Sequence, residues 1–180
     1  MFKHLLVPLD GSEIAEQALA AAIELAHRFN SQITLLRVTN APYLLTQSHN
    51  SSFAELITSL EETERQEATH YLSQLQEQLS QRGLNCQFVV TTGEPVAEVI
   101  LQKVTQLQAD AIVMGTHGWG GLRRWVYGSV ADRVLRHAEV PVLLIRGRET
   151  DPTLLISIPP IETFADIHTP AGNNSGEVNL

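Results

Sequence analysis

Short apolar runs alternate with stripes of helical spacing through residues 3–145, and no other feature of this chain limits its fold as strongly. Residues 3–9, 33–38, 86–90, 111–114 and 142–145 are nearly continuous apolar runs, the pattern of strands covered on both faces. Between the first two, Ala15, Ala18, Leu19, Ala22, Ile23, Ala26 and Phe29 recur at helical spacing. Phe53, Leu56, Ile57, Leu60, Ala68, Tyr71, Leu72, Leu75 and Leu79 do the same over a longer stretch. So do Val96, Val99, Ile100, Val104 and Leu107, and then Val130, Val134, Leu135 and Ala138. This alternation predicts βαβ units, right-handed crossovers and a parallel sheet. Gly83 stops the second helix, Pro95 stands in the first turn of the third, and Pro141 opens the last strand. The first helix has two available caps, Asp10 with Glu13 or Ser12 alone. Residues 39–52 show no periodicity and read as a long loop. Glu61, Glu62, Glu64 and Glu67 read as a solvated helix face.

A chain of 180 residues suits one domain with a sizeable core. The net charge of −8 argues against nonspecific nucleic-acid binding and against anionic membrane surfaces, both of which need basic protein surface. Cys86 is alone, so no intramolecular disulfide framework forms; it sits in an apolar run and reads as a buried, inert thiol. The N-terminus lacks signal-peptide form and no apolar stretch reaches membrane-spanning length, so cytoplasmic residence is expected. Beyond residue 147, Leu154 to Ile158 is strand-like, and either docks or forms a loose extension. From His168 onward Gly, Asn, Ser, Pro and acids read as disorder.

The stretch after the fourth apolar run carries the chemistry. Gly115, Gly118, Gly120, Gly121 and Gly128 fall between a strand and a helix, and Ser129 stands where that helix begins. Ser129 and Asp132 have capping-box spacing. A glycine-rich turn ending on a helix N-terminus offers free N–H groups and the positive end of the helix dipole, which suits an anion and phosphate best. Arg123 and Arg124 lie in the same stretch and are open to two readings, phosphate neutralisers or solvated loop cations. His117 is equally open. Neither a Walker A sequence nor a GxGxxG fingerprint is present. Histidines lie without HxxxH spacing, and no nucleophilic triad can be argued.

Gly115-x-x-Gly118, nine residues, then Gly128-Ser129 is a specific spacing. With Met114-Gly115-Thr116-His117-Gly118, Gly128-Ser129-Val130-Ala131-Asp132, the opening Val7-Pro8-Leu9-Asp10-Gly11-Ser12 and the ending Val140-Pro141-Val142-Leu143-Leu144-Ile145, it resembles the universal stress protein family in its ATP-binding branch. The resemblance covers about residues 1–147. It implies a Rossmann-like α/β domain of the adenine-nucleotide alpha hydrolase-like kind, with a five-stranded, mostly parallel sheet in the order 3-2-1-4-5. Residues 148–180 lie outside the resemblance as a C-terminal extension, which by its own composition is partly disordered or docks on the domain or a partner chain. The resemblance implies an adenine-nucleotide site of Pro8, Leu9, Asp10, Val38, Met114, Gly115, Gly118, Gly128, Ser129 and Val130, with ATP, ADP or AMP as ligand. Asp10 is the residue that a phosphate-bound Mg²⁺ would use. A side chain at Gly115 or Gly118 would take space that phosphate or ribose needs, and Gly128, Ser129 and Val130 would donate their N–H groups. The family also implies a homodimer through the edge strand of residues 140–145. The function implied is that of an adenine-nucleotide (ATP) binding stress-response protein acting as a regulated binding module. The alternatives are a slow ATPase, a nucleotide-free dimeric scaffold and a sensor of a cyclic adenine nucleotide.

Overall fold

A computed structural model of the chain describes residues 2–39, 51–116 and 128–146, and for Glu13 and residues 51–56 the backbone only. The order is β1 (His4–Pro8), α1 (Glu13–Phe29), β2 (Gln32–Thr39), α2 (Ser51–Gln81), β3 (Cys86–Thr92), α3 (Val96–Leu107), β4 (Ala111–Gly115), α4 (Ser129–His137) and β5 (Val142–Ile145). The five strands form one sheet in the order β3-β2-β1-β4-β5. Every pairing is parallel, so the mostly parallel sheet read from the sequence is wholly parallel.

The apolar runs are explained by two cores, one on each face of the sheet. Alternate residues Leu5, Val7, Ile33, Leu35 and Val113 pack under α1 and α2. Leu6, Leu36, Ile112 and Met114 pack under α3 and α4. Cys86 is free and buried, and burial pushes its thiol up to about 11. At the amino-terminal edge of the sheet the Asp110 carboxylate accepts the N–H groups of Lys3 (2.9 Å) and His4 (3.2 Å), tying β1 to the start of β4. Above it His4 Nε2 lies 2.7 Å from Thr34 Oγ1, which also accepts from Gln87 Nε2 at 2.9 Å.

Three residues expected in buried stripes are exposed: Phe29 (48%), Leu60 (52%) and Leu135 (43%). Leu60 is exposed because α2 outruns the sheet. Its 31 residues span about 46 Å, whereas an eight-residue strand such as β2 spans about 26 Å. No described side chain between Ile57 and Ala68 is buried. Phe29 ends α1 and packs on Phe2, ring centroids 5.4 Å apart. Pro95 is the residue before α3, not within its first turn. Gly83 stops α2 as expected, with φ +77°.

Candidate functional site

β1 and β4 are neighbours whose chain connections leave in opposite directions, so the crevice beyond their carboxyl ends is the natural ligand position in such a sheet. The sequence opens it at one residue. β1 and β4 are in register only at Leu5↔Ala111 and Leu6↔Ile112. His4 C=O accepts from Asp110 N–H, so the peptide groups of His4, Leu6 and Pro8 face β4. Pro8 has no N–H to offer there, and the ladder ends. The Leu9 N–H faces the other way and donates to Leu36 C=O at 2.8 Å.

The turn out of β1 is tightly made. Gly11 takes φ +79°, which favours glycine. Ser12 is the N-cap of α1 and its hydroxyl accepts from Ala15 N–H at 3.3 Å, which settles the capping alternatives in favour of Ser12. Asp10 Oδ1 accepts from Ser12 N–H at 3.0 Å and from the Ser12 hydroxyl at 2.6 Å. The Asp10 carboxylate is thereby fixed over the start of α1.

On the β4 side the packing of the fold itself gives Gly115 a reason to be a glycine. A β-carbon there would lie 2.9 Å from both Ile14 C=O and Ile14 Cγ2. The first turn of α1 presses on Gly115, so a side chain there would collide with protein. Thr116 is buried, donates its N–H to Ile145 C=O (3.0 Å) and accepts from Gly128 N–H (2.8 Å). Gly128 is the N-cap of α4, with no side-chain capping bond. Its N–H, expected to face phosphate, is engaged by Thr116. The first intrahelical bond runs from Asp132 N–H to Gly128 C=O, leaving the N–H groups of Ser129, Val130 and Ala131 without intrahelical acceptors. The Ser129–Asp132 capping box does not form: Asp132 instead pairs with Arg136, whose Nε and Nη2 lie 2.9 and 3.0 Å from its oxygens.

Two helix N-termini, those of α1 and α4, therefore follow the two strands that part at Pro8. Of the remaining predicted residues, Val38 is half-buried near the end of β2, and Val130 is half-buried at the start of α4. Leu9 and Met114 are buried in the two cores, so only their main chains can reach the crevice. Gly118, His117, Arg123 and Arg124 lie outside the described residues, as does the extension beyond residue 146. Among the described residues no group of three His, Cys, Asp or Glu is placed to hold a metal, and no helix is long and apolar enough to cross a membrane.

The family model of the universal stress proteins matches residues 1–146. The chain belongs to the universal stress protein family. It is 32% identical over 146 residues to Universal stress protein MJ0531 of Methanocaldococcus jannaschii, covering 81% of this chain and 83% of that one. It is 28% identical over 149 residues to Universal stress protein YxiE of Bacillus subtilis, covering 81% of this chain and all of that one. Among solved structures the protein MJ0577 superposes with a TM-score of 0.73 at 25% identity, covering 83% and 99% of the two chains. Universal stress protein UspA of Lactobacillus plantarum superposes with a TM-score of 0.70 at 25% identity, covering 81% and 98%.

Proposed function

We propose that this universal stress protein binds an adenine nucleotide, ATP foremost, in the crevice between β1 and β4, and acts as a nucleotide-controlled binding module in the stress response. The observation that carries the reading is the meeting of two helix N-termini where the β1–β4 ladder stops. N–H groups without intrahelical acceptors and two positive dipole ends favour a polyanion there. In this reading the N–H groups of Ser129 and Val130 hold phosphate, with the Ser129 hydroxyl helping, and the main chain at Val38 meets the base. A Mg²⁺ would arrive on the phosphates and take Asp10 as its protein ligand; a single carboxylate fits an ion so delivered. Asp10 is held as an acceptor by Ser12, a poor arrangement for a general base, so hydrolysis is at most slow. The protein pairs with a second copy along β5. Titration calorimetry with ATP, ADP, AMP and cyclic AMP, with mass spectrometry of the small molecules that copurify, tests the reading. Binding of ATP with Mg²⁺ supports it. No heat with any of the four and no copurifying nucleotide would leave the dimeric scaffold as the better description.

A further inference from the structure

Arg37 stands one residue before Val38 and is half-buried. Strand alternation puts it on the same face as Ile33 and Leu35, the face covered by α1 and α2. Its Nη1 donates a long hydrogen bond, 3.4 Å, to Leu9 C=O. Because Leu9 N–H is already bonded to Leu36 C=O, β2 grips both peptide groups of the residue that precedes Asp10. The next turn residue passes over the guanidinium: a β-carbon at Gly11 would lie 3.6 Å from Arg37 Nη1. Nearby, Tyr71 Oη donates to Glu16 Oε1 at 3.1 Å. Burial raises the Tyr71 phenol well above its ordinary value, and the charges of Glu16, Arg37 and Asp10 all act on it. The four groups thus share one neighbourhood at the start of α1. Within it, Arg37 Nε is buried without a hydrogen-bond partner. A buried donor lacking an acceptor is destabilising, and an apolar side chain of similar length would fill the space without that cost. Packing alone does not account for an arginine here.

We propose that Arg37 is a positioning residue of the nucleotide site, clamping the turn of residues 9–12 from below and so fixing the Asp10 carboxylate where the ligand meets it. The inference rests on the nucleotide reading above. It makes Arg37 and Asp10 one unit, which a double-mutant cycle detects. ATP with Mg²⁺ is titrated into the wild type, Arg37→Met, Asp10→Asn and the double variant, each checked for folding by circular dichroism. Arg37→Met weakens binding about tenfold on its own but less than about twofold when Asp10 is already Asn. Arg37→Lys, which keeps the charge and the stem, restores part of the loss. Arg37→Gln replaces Arg37→Met with the same expected pattern if the latter does not fold. In the ligand-free protein, hydrogen exchange at residues 9–12 quickens in Arg37→Met while that of residues 111–114 is unchanged; a merely structural role moves both together. Wild-type affinity in folded Arg37→Met, or losses that add across the cycle, overturn the inference alone. A wild type that binds no nucleotide overturns it together with the proposed function.

Discussion

The amide of Gly128 donates to the carbonyl of Thr116 at 2.8 Å, so one hydrogen bond joins the described residues on either side of 117–127. Thr116 is itself tied to Ile145 of β5. The end of β4 and the start of α4 are therefore tied to each other directly. Replacing residues 117–127 by five Gly and Ser residues changes the loop-closure term by only about 0.7 kcal/mol. The expected outcome is an unchanged circular dichroism spectrum, a melting temperature within a few degrees of wild type, and loss of ATP affinity by calorimetry. Collapse of the fold would show that the intervening residues, and not the Thr116–Gly128 bond, set the strand–helix spacing.

Gly115→Ala tests the contact with α1. A methyl group there meets Ile14 C=O at 2.9 Å, so the first turn of α1 must shift, at a cost of about 1–3 kcal/mol typical of overpacking. Urea unfolding should show that loss with no ligand present. Unchanged stability accompanied by lost ATP binding would restore the view that this glycine makes room for ligand alone.

His4 gives the stability a pH dependence whose sign is fixed by burial. Burial lowers its pKa from 6.5, with the Leu107 carbonyl and the Asp110 charge opposing in part. The unfolded chain then binds the proton more readily than the folded one, so the contribution is complete above about pH 6.5 and is lost as pH falls through the lower folded value. Urea midpoints at pH 7.5 and pH 5 should differ less in His4→Gln than in wild type. An equal difference in the two proteins would assign the acid sensitivity to other groups.

The edge of β5 separates two kinds of substitution. Pro141 C=O and Ile145 C=O accept from Ile112 and Thr116, so the peptide groups of Val142 and Leu144 point outward along the edge. Their side chains pack into the core under α3 and α4, whereas Leu143 is 41% exposed on the other face. Leu143→Lys should convert the proposed dimer to monomer while leaving the fold intact, as read by light scattering at micromolar concentration. A wild type that is already monomeric would remove the edge pairing. Lysine at Val142 or Leu144 would damage the core and separate nothing.

The two-sided burial of the sheet is why its elements were legible: Leu5, Leu6 and Val7, or Ile112 and Val113, can be consecutive and apolar only where both faces are covered. Strand order came from the family resemblance, because apolar patterning carries no information about which strand lies beside which. Helix patterning overstated burial at Leu60 and Leu135, since it reports a face and not whether anything covers that face. The capping pattern at Ser129 and Asp132 failed for a tertiary reason, the Thr116 carbonyl that holds Gly128, and a local one, the better partner that Asp132 finds in Arg136. Arg37 lies inside an apolar run, where a single charged residue does not disturb the strand signal. The resemblance implies Pro8 in the site, but the effect of Pro8 on the sheet depends on which neighbour its peptide faces.

That effect bears on how a ligand would enter. The β1–β4 ladder stops where an imino acid stands in place of an amide, and no fluctuation of the backbone can supply the missing hydrogen. That one ladder bond cannot form, with or without ligand. A ligand bound as proposed would have no hydrogen bond at Pro8 to break, and none of its affinity would be consumed there.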